Sequence, residues 1–434
     1  MKRNCWLPLL LAAVAFVAGC SGSTAPQPHP HATEPPGLTT IRGDQDPLPL
    51  TIDRKPLWTI PADVDPLLHK DAVVEDGDRF SVADAETGRV RWSIDRDKPV
   101  PGGGGIRLAN DALSLKADVR PQIIDLGSDW YVLTDYERSP CWDCLWESKH
   151  APEKGVVALS GADGSVKWTT RLTRSYRFPD DRRFVIPQAS LRVASARIAV
   201  AVVYPRPDSD APERAVGLDP RTGRIRWQTE HLWPVQAVGD TIIGYDRAEP
   251  FYVDKARVGA YAAGTGKKVW DLHRRYRMSA VENVTGDVVL VGADDRQDGP
   301  VDRVLDIHSG KTLVTLPTVN QGCVSDGTST IGCTYDPDIG TDPHMLTYDV
   351  RDRRLTGARA PVNEDYELIG AWHGRFFVEP GYNVPTIGPK HCFAIDATGR
   401  RVGPDLPGVP KTIGDGYALV ESIDGNTSTI HRTG

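Results

Sequence analysis

The chain has 434 residues, with 51 Lys+Arg against 58 Asp+Glu and a formal net charge of −7, so it lacks the positive field by which general nucleic-acid binders work. Hydrophobic residues at 40% suffice for a packed interior and exclude disorder throughout, while 41 Gly and 35 Pro exclude a coiled coil and favour many turns.

Met1-Lys2-Arg3 is a basic start, Cys5 to Val17 is apolar, and the small pair Ala18-Gly19 precedes Cys20. The run is shorter than the roughly 20 residues of a permanent span and has the proportions of a signal peptide. Val17-Ala18-Gly19-Cys20 resembles a bacterial lipobox, which implies that the Cys20 thiol receives a diacylglyceryl group and becomes the first mature residue. The expectation is a lipid-anchored protein of the cell envelope on the extracytoplasmic side, with membrane lipid as one partner through Cys20. Residues 20–50 contain Pro26, Pro28, Pro30, Pro35, Pro36, Pro47 and Pro49 among Ser, Thr and Gly without an apolar period, and read as a semi-extended tether. The division expected is therefore 1–19 signal peptide, 20–50 lipidated cysteine and tether, and 51–434 a single repeat domain. The Arg42-Gly43-Asp44 triplet in the tether is set aside as a chance match.

A nine-residue pattern then recurs. Asp84-Ala-Glu-Thr87-Gly88-Arg-Val-Arg-Trp92 returns as Ser160-Gly-Ala-Asp163-Gly164-Ser-Val-Lys-Trp168, as Asp219-Pro-Arg-Thr222-Gly223-Arg-Ile-Arg-Trp227 and as Ala262-Ala-Gly-Thr265-Gly266-Lys-Lys-Val-Trp270. Degenerate copies follow at Asp306 to Val314 with Ser309-Gly310, at Asp349 to Gly357 with Arg353 in the glycine position, and at Asp396-Ala-Thr398-Gly399. The later copies repeat about every 44 residues, the period of a propeller blade, and the earlier ones carry insertions. Asp hydrogen-bonds forward into a turn and Gly supplies positive φ, so the Asp-to-Gly segment is a hairpin turn. Strand-like runs lie upstream of the copies: Trp130 to Leu133, Ile198 to Tyr204, Thr241 to Ile243, Val288 to Val291, Arg375 to Val378 and Tyr417 to Val420. Each unit is a four-stranded antiparallel meander, and the fold class predicted is an all-β propeller.

The pattern resembles the PQQ-like repeat of quinoprotein-dehydrogenase-like propellers, whose signature is Ala-x-Asp-x-x-x-Gly-x-x-x-Trp, over residues 55 to 434. The resemblance implies that Trp92, Trp168, Trp227 and Trp270 pack between blades rather than against a cofactor. Pro56-Leu57-Trp58-Thr59-Ile60 looks like a fourth strand without its first three, and Lys411 to Thr433 offers three strands without a fourth. The N-terminal strand is thus expected to complete the last blade and close the ring, giving eight blades, with seven as the alternative count.

Meander geometry sends the Asp-x-x-x-Gly turns to one face and the connections after second strands and between blades to the other. Long segments gather on the latter: 93–121 with the run Gly102 to Gly105, 137–155, 171–187, 205–214, 248–257, 294–302, 336–344 and 379–390. Loops on a rigid scaffold are where binding resides, so this face is the candidate binding face. Two between-blade stretches on it interleave Arg with aromatics, Arg174, Tyr176, Arg177, Arg182 and Arg183 in one and Arg274, Arg275, Tyr276 and Arg277 in the other, residue types enriched at interface hot spots.

Cys141-Trp-Asp-Cys144 has His150 nearby but supplies only three of the four ligands of a zinc site, so a loop disulfide is expected there. Cys323 and Cys333 flank Asp326-Gly327 and are expected to bridge two facing strands; Cys392 is left over and expected to be buried. Ser309-Gly310-Lys311-Thr312 has Leu305 where a phosphate loop needs Gly. Asp336, Asp338 and Asp342 alternate like calcium ligands, yet Thr347 stands where an EF-hand has its bidentate Glu. No hydrolase motif is present in the sequence. No catalytic, cofactor-binding or metal-binding residue is nominated, and the expectation is a monomeric, non-catalytic module that binds an envelope protein or peptide, similar to the BamB family of outer-membrane assembly lipoproteins. The alternatives are a PQQ- and calcium-dependent dehydrogenase, a family that typically carries the vicinal cysteine pair this chain lacks, and a sensor of a small ligand at the propeller axis.

Overall fold

The computed structural model describes residues 52–61, 64–109, 121–138, 150–151, 153–173, 176–177, 188–204, 213–230, 232–246, 257–272, 276–295, 299–316, 323–326, 329–335, 344–359, 366–372, 374–380, 392–413, 416–422 and 427–433. Eight of its antiparallel sheets follow one another in ring order as the blades of a propeller. Blades 1 to 7 take residues 65–95, 107–171, 188–230, 232–271, 276–316, 323–359 and 366–406. Blade 8 is composite: strands Val409–Ile413, Tyr417–Glu421 and Ser428–Arg432 are followed in the sheet by Trp58–Ile60, with Thr59 opposite Thr429.

The second strand of each blade explains why the apolar runs in the sequence are continuous rather than alternating. Successive side chains of a strand point to opposite faces, and here both faces are covered by neighbouring blades. Val73 packs into the junction of blades 8 and 1, whereas Val74 packs into that of blades 1 and 2. Ile242 and Ile243 likewise serve the junctions before and after blade 4, and Phe376 and Phe377 those before and after blade 7. Among the described residues the apolar interior is accordingly eight clusters, one at each junction.

Three features differ from the expected meander. The first strand of blade 2 is two pieces, Arg107–Leu108 and Gln122–Asp125, both paired with Trp130–Arg138, so the long insertion before this blade interrupts a strand rather than merely preceding it. His150–Ala151 pairs with Tyr176–Arg177 as a separate two-stranded ribbon within segments expected to be loops. The expected 294–302 loop is mostly strand, since Val288–Asp295 and Gly299–Asp306 pair along their whole lengths.

Candidate functional site

The repeat signature proves to be a device for joining blades. In each early turn the glycine amide donates to the carbonyl of the residue four before it, as Gly223 does to Asp219 at 2.8 Å, and the glycine has positive φ, +71° here. Asp219 Oδ1 accepts the backbone N–H groups of Arg221 and Thr222, and its Oδ2 pairs with Arg226 at 2.6 Å. In blades 1 to 4 the fourth strand carries a one-residue irregularity just before its tryptophan. The indole lies on the turn glycine of the next blade and donates to the carbonyl beside it. Thus Trp58 reaches Ala85 O, Trp92 Gly161 O, Trp168 Pro220 O, Trp227 Ala263 O and Trp270 Ile307 O, at 2.7 to 3.0 Å. A Cβ at Gly223 would sit 2.5 Å from Trp168 Cε3, so glycine is needed for contact as well as for φ.

These turns occupy one face together with the tight turns between first and second strands. A groove of about 320 Å³ opens there between blades 3 and 4, lined by Arg197, Asp219, Pro220, Arg221, Arg226 and Asp240 among others. Its charges are largely matched within the groove: Arg226 pairs with Asp219, and Arg197 Nε lies 3.8 Å from Asp240. Ser309-Gly310-Lys311-Thr312 also lies on this face, as the hairpin between the third and fourth strands of blade 5.

The opposite face receives the connections between second and third strands and between blades. Many of the residues singled out on it lie outside those described: Arg174, Arg182, Arg183, Arg274, Arg275, the Cys141 and Cys144 pair, and the Asp336, Asp338 and Asp342 run, as does the lipid-anchor candidate Cys20. Tyr176 and Arg177 form the ribbon with Ala151 and His150. Tyr276 and Arg277 open the first strand of blade 5, with Tyr276 opposite Asp295. Cys323 and Cys333 are cross-strand partners in blade 6, bonded with their Cα atoms 4.2 Å apart, and Cys392 is a buried free thiol whose pKa burial raises to about 12. Among the described residues no group of three or more His, Cys, Asp or Glu is placed to hold a metal.

What the sequence did not point to is a polar and aromatic cluster across blades 2 to 4 at the same end. Lys154 is mostly buried and bonds Glu137 at 2.8 Å and Gln188 at 2.6 Å. The first strand of blade 3 bulges between Leu191 and Val193, so Arg192 is an extra residue in the ladder. The Leu191 amide donates instead to the buried Asp135 of blade 2 at 2.8 Å, which holds the bulge in place. Arg192 bonds the hydroxyl of Tyr204, the last residue of Ala199–Tyr204, and lies 4.4 Å from the ring centroid of Trp233, the second residue of Leu232–Val238. Tyr204 and Trp233 meet edge to face at 5.7 Å. Elsewhere on this end Arg96 is fixed by the Gly77 and Ala109 carbonyls and by Asp76, whose carboxyl burial pushes up in pKa although Arg96 opposes the shift. Glu153 gathers Tyr136, Arg138 and Arg171, and burial beside it raises the Tyr136 phenol.

Residues 69–232, somewhat more than a third of the chain, match the family model described as outer membrane protein assembly factor BamB. No curated protein matches the chain. Among solved structures, BamB from Moraxella catarrhalis is 12% identical with a TM-score of 0.47, covering 88% of this chain and 100% of its own. The computationally designed Ika8 protein is 12% identical with a TM-score of 0.50, covering 87% and 98%. The quinohemoprotein alcohol dehydrogenase ADHIIG from Pseudomonas putida HK5 is 9% identical with a TM-score of 0.44, covering 87% and 75%. At these identities the likeness is one of fold. The chain is an eight-bladed β-propeller whose residues 69–232 resemble the BamB family.

Proposed function

We propose that the chain is an extracytoplasmic lipoprotein, held to a membrane through Cys20, that serves as a non-catalytic scaffold for an envelope protein or peptide. The observation that carries the reading is the match of residues 69–232 to the BamB family model. It is supported by the asymmetry of the ring: tight turns with mostly matched charges on one face, and on the other the long connections together with half-buried Arg, Tyr and Trp side chains, which suit recognition of another chain.

The test is affinity capture from gently solubilised membranes with the lipidated full chain, with the same protein titrated with PQQ and Ca²⁺ in parallel. Reproducible envelope protein partners without quinone binding are expected. Saturable quinone binding with dye reduction by an alcohol or a sugar would replace the scaffold reading with the dehydrogenase one. The anchor is checked separately by Cys20→Ser, which is expected to move the protein from the membrane fraction to the soluble one.

A further inference from the structure

Arg192 is the least satisfied cation of the cluster at blades 2 to 4. A guanidinium has five N–H donors. Tyr204 accepts one of them, and Nε is sealed from solvent with no acceptor. No carboxylate forms an ion pair with Arg192 among the described residues, whereas its neighbour Lys154 has both Glu137 and Gln188. The side chain is half-buried, so it has given up part of its hydration. The Trp233 and Tyr204 rings lie 4.4 Å and 5.9 Å from the guanidinium carbon and attract its charge, but a ring face supplies no carboxylate or carbonyl acceptor for the remaining donors. The bulge that places Arg192 is itself held by Asp135, so the guanidinium is preorganised rather than one rotamer of a surface side chain.

We propose that Arg192, framed by Tyr204 and Trp233, is a recognition site for a carboxylate carried by an acidic peptide segment of the partner. The proposal rests on the scaffold reading and gives its partner a chemistry. The remaining Nη donors share one plane, a fork that the two oxygens of a carboxylate can fill in parallel, and the phosphate arm of the test distinguishes a tetrahedral anion. A Trp and a Tyr beside the charge offer apolar area to the residues flanking a Glu or Asp, the composition of an interface anchor. Both aromatics stand at the ends of strands that meet the face with the long connections.

The test is calorimetric titration of the full chain in detergent with four probes: the peptide Ac-Gly-Glu-Leu-Glu-Gly-NH₂, its Gln counterpart, succinate and inorganic phosphate. The Glu peptide is expected to bind about tenfold or more tightly than the Gln peptide, and Arg192→Gln to remove that preference while Arg192→Lys keeps part of it. Melting temperatures of both variants serve as the check that the ring is intact. Succinate binding as tightly as the Glu peptide would overturn the peptide source and leave a free organic acid as the ligand. Phosphate binding more tightly than either, equal binding of the Glu and Gln peptides, no binding of any probe, or an Arg192→Gln protein that binds like the wild type would overturn the site. If Arg192→Gln still captures the same partners from membranes, the site fails and the scaffold reading stands; if neither protein captures any, the scaffold reading fails.

Discussion

Going round the ring from blade 8 to blade 5, every blade hands an outer-strand tryptophan to the turn glycine of the next; from blade 5 onward to blade 8 none does. Blade 5 offers Val314 in place of the indole, and blade 6 answers with Arg353 in the glycine position, a non-glycine residue at φ +51° that reaches Asp306 of blade 5 at 3.5 Å. Blade 6 also lacks the irregularity that precedes the tryptophan in blades 1 to 4, its third and fourth strands pairing without a shift from His344 to Asp349. The aromatic filling has moved inward and reversed direction. Phe376, in the second strand of blade 7, lies back against Gly332 of blade 6, where a Cβ would meet its ring at 2.3 Å. Both halves therefore use an aromatic ring on a glycine, but the early one is a forward contact at the rim and the late one a backward contact near the middle of the sheet. The disulfide Cys323–Cys333 belongs to blade 6, the blade that has lost tryptophan, glycine and bulge together.

The comparison breaks most sharply if the two kinds of aromatic are not equivalent. Trp227→Ala and Phe376→Ala are each expected to cost about 3–5 kcal/mol, against about 1–2 kcal/mol for Val314→Ala, measured by urea unfolding. Removing the disulfide, by reduction or by Cys323→Ala with Cys333→Ala, is expected to cost about 2–3 kcal/mol if blade 6 relies on it. No change on reduction would mean that packing alone holds that blade. At the turn position the two halves should respond with opposite signs. Gly223→Ala meets both strain and the Trp168 ring and should destabilise by about 1–3 kcal/mol, whereas Arg353→Gly relieves a left-handed backbone and should be neutral or stabilising by up to about 1 kcal/mol.

The smallest effect expected is on pH dependence. Hydrogen bonds hold several turn carboxylates low: Arg91 and Thr87 at Asp84, Ser165 at Asp163, which falls to about 2, and Ser309 at Asp306. A lowered folded-state pKa gives stability that is complete above the unfolded value near 4 and is lost as pH falls from there toward about 2. Burial lowers His69 and His431 as well, the second beside the Asp53 carbonyl, so their share is present above about pH 6.5 and fades as the pH drops below it. Melting temperature should fall in two steps on acidification. His431→Gln should flatten the first and leave the second, which separates the ring-closing blade from the turns.

Much of this fold was legible because one nine-residue pattern carries both a turn and a packing residue. Asp219, Gly223 and Trp227 announce a hairpin and its indole within a single stretch of chain, and Trp58 set against Lys411 to Thr433 announces the composite blade. The bulges were not legible, since an extra residue in a ladder such as Arg192 has no composition of its own. Nor was the cluster it forms: Arg192, Tyr204 and Trp233 belong to three strands of two blades and meet only when the meander is folded and the next blade docks. The basic-aromatic stretches stood out because their residues are adjacent in sequence, which is a weaker guide to proximity in a ring than the register of its strands. Of those stretches, the described residues give the pairing of Tyr176–Arg177 with His150–Ala151 and the start of blade 5 at Tyr276.

The closing strand is among the first described segments to be synthesised and is the last to be used. Trp58 to Ile60 must wait for Ser428 to Ile430, roughly 370 residues further along the chain, so it stays an unpaired edge until the last blade is in place. Through that interval Leu57, Trp58 and Ile60 are available to any other open strand, so the vulnerable period of this protein is set by its ring closure rather than by the stability of the finished ring.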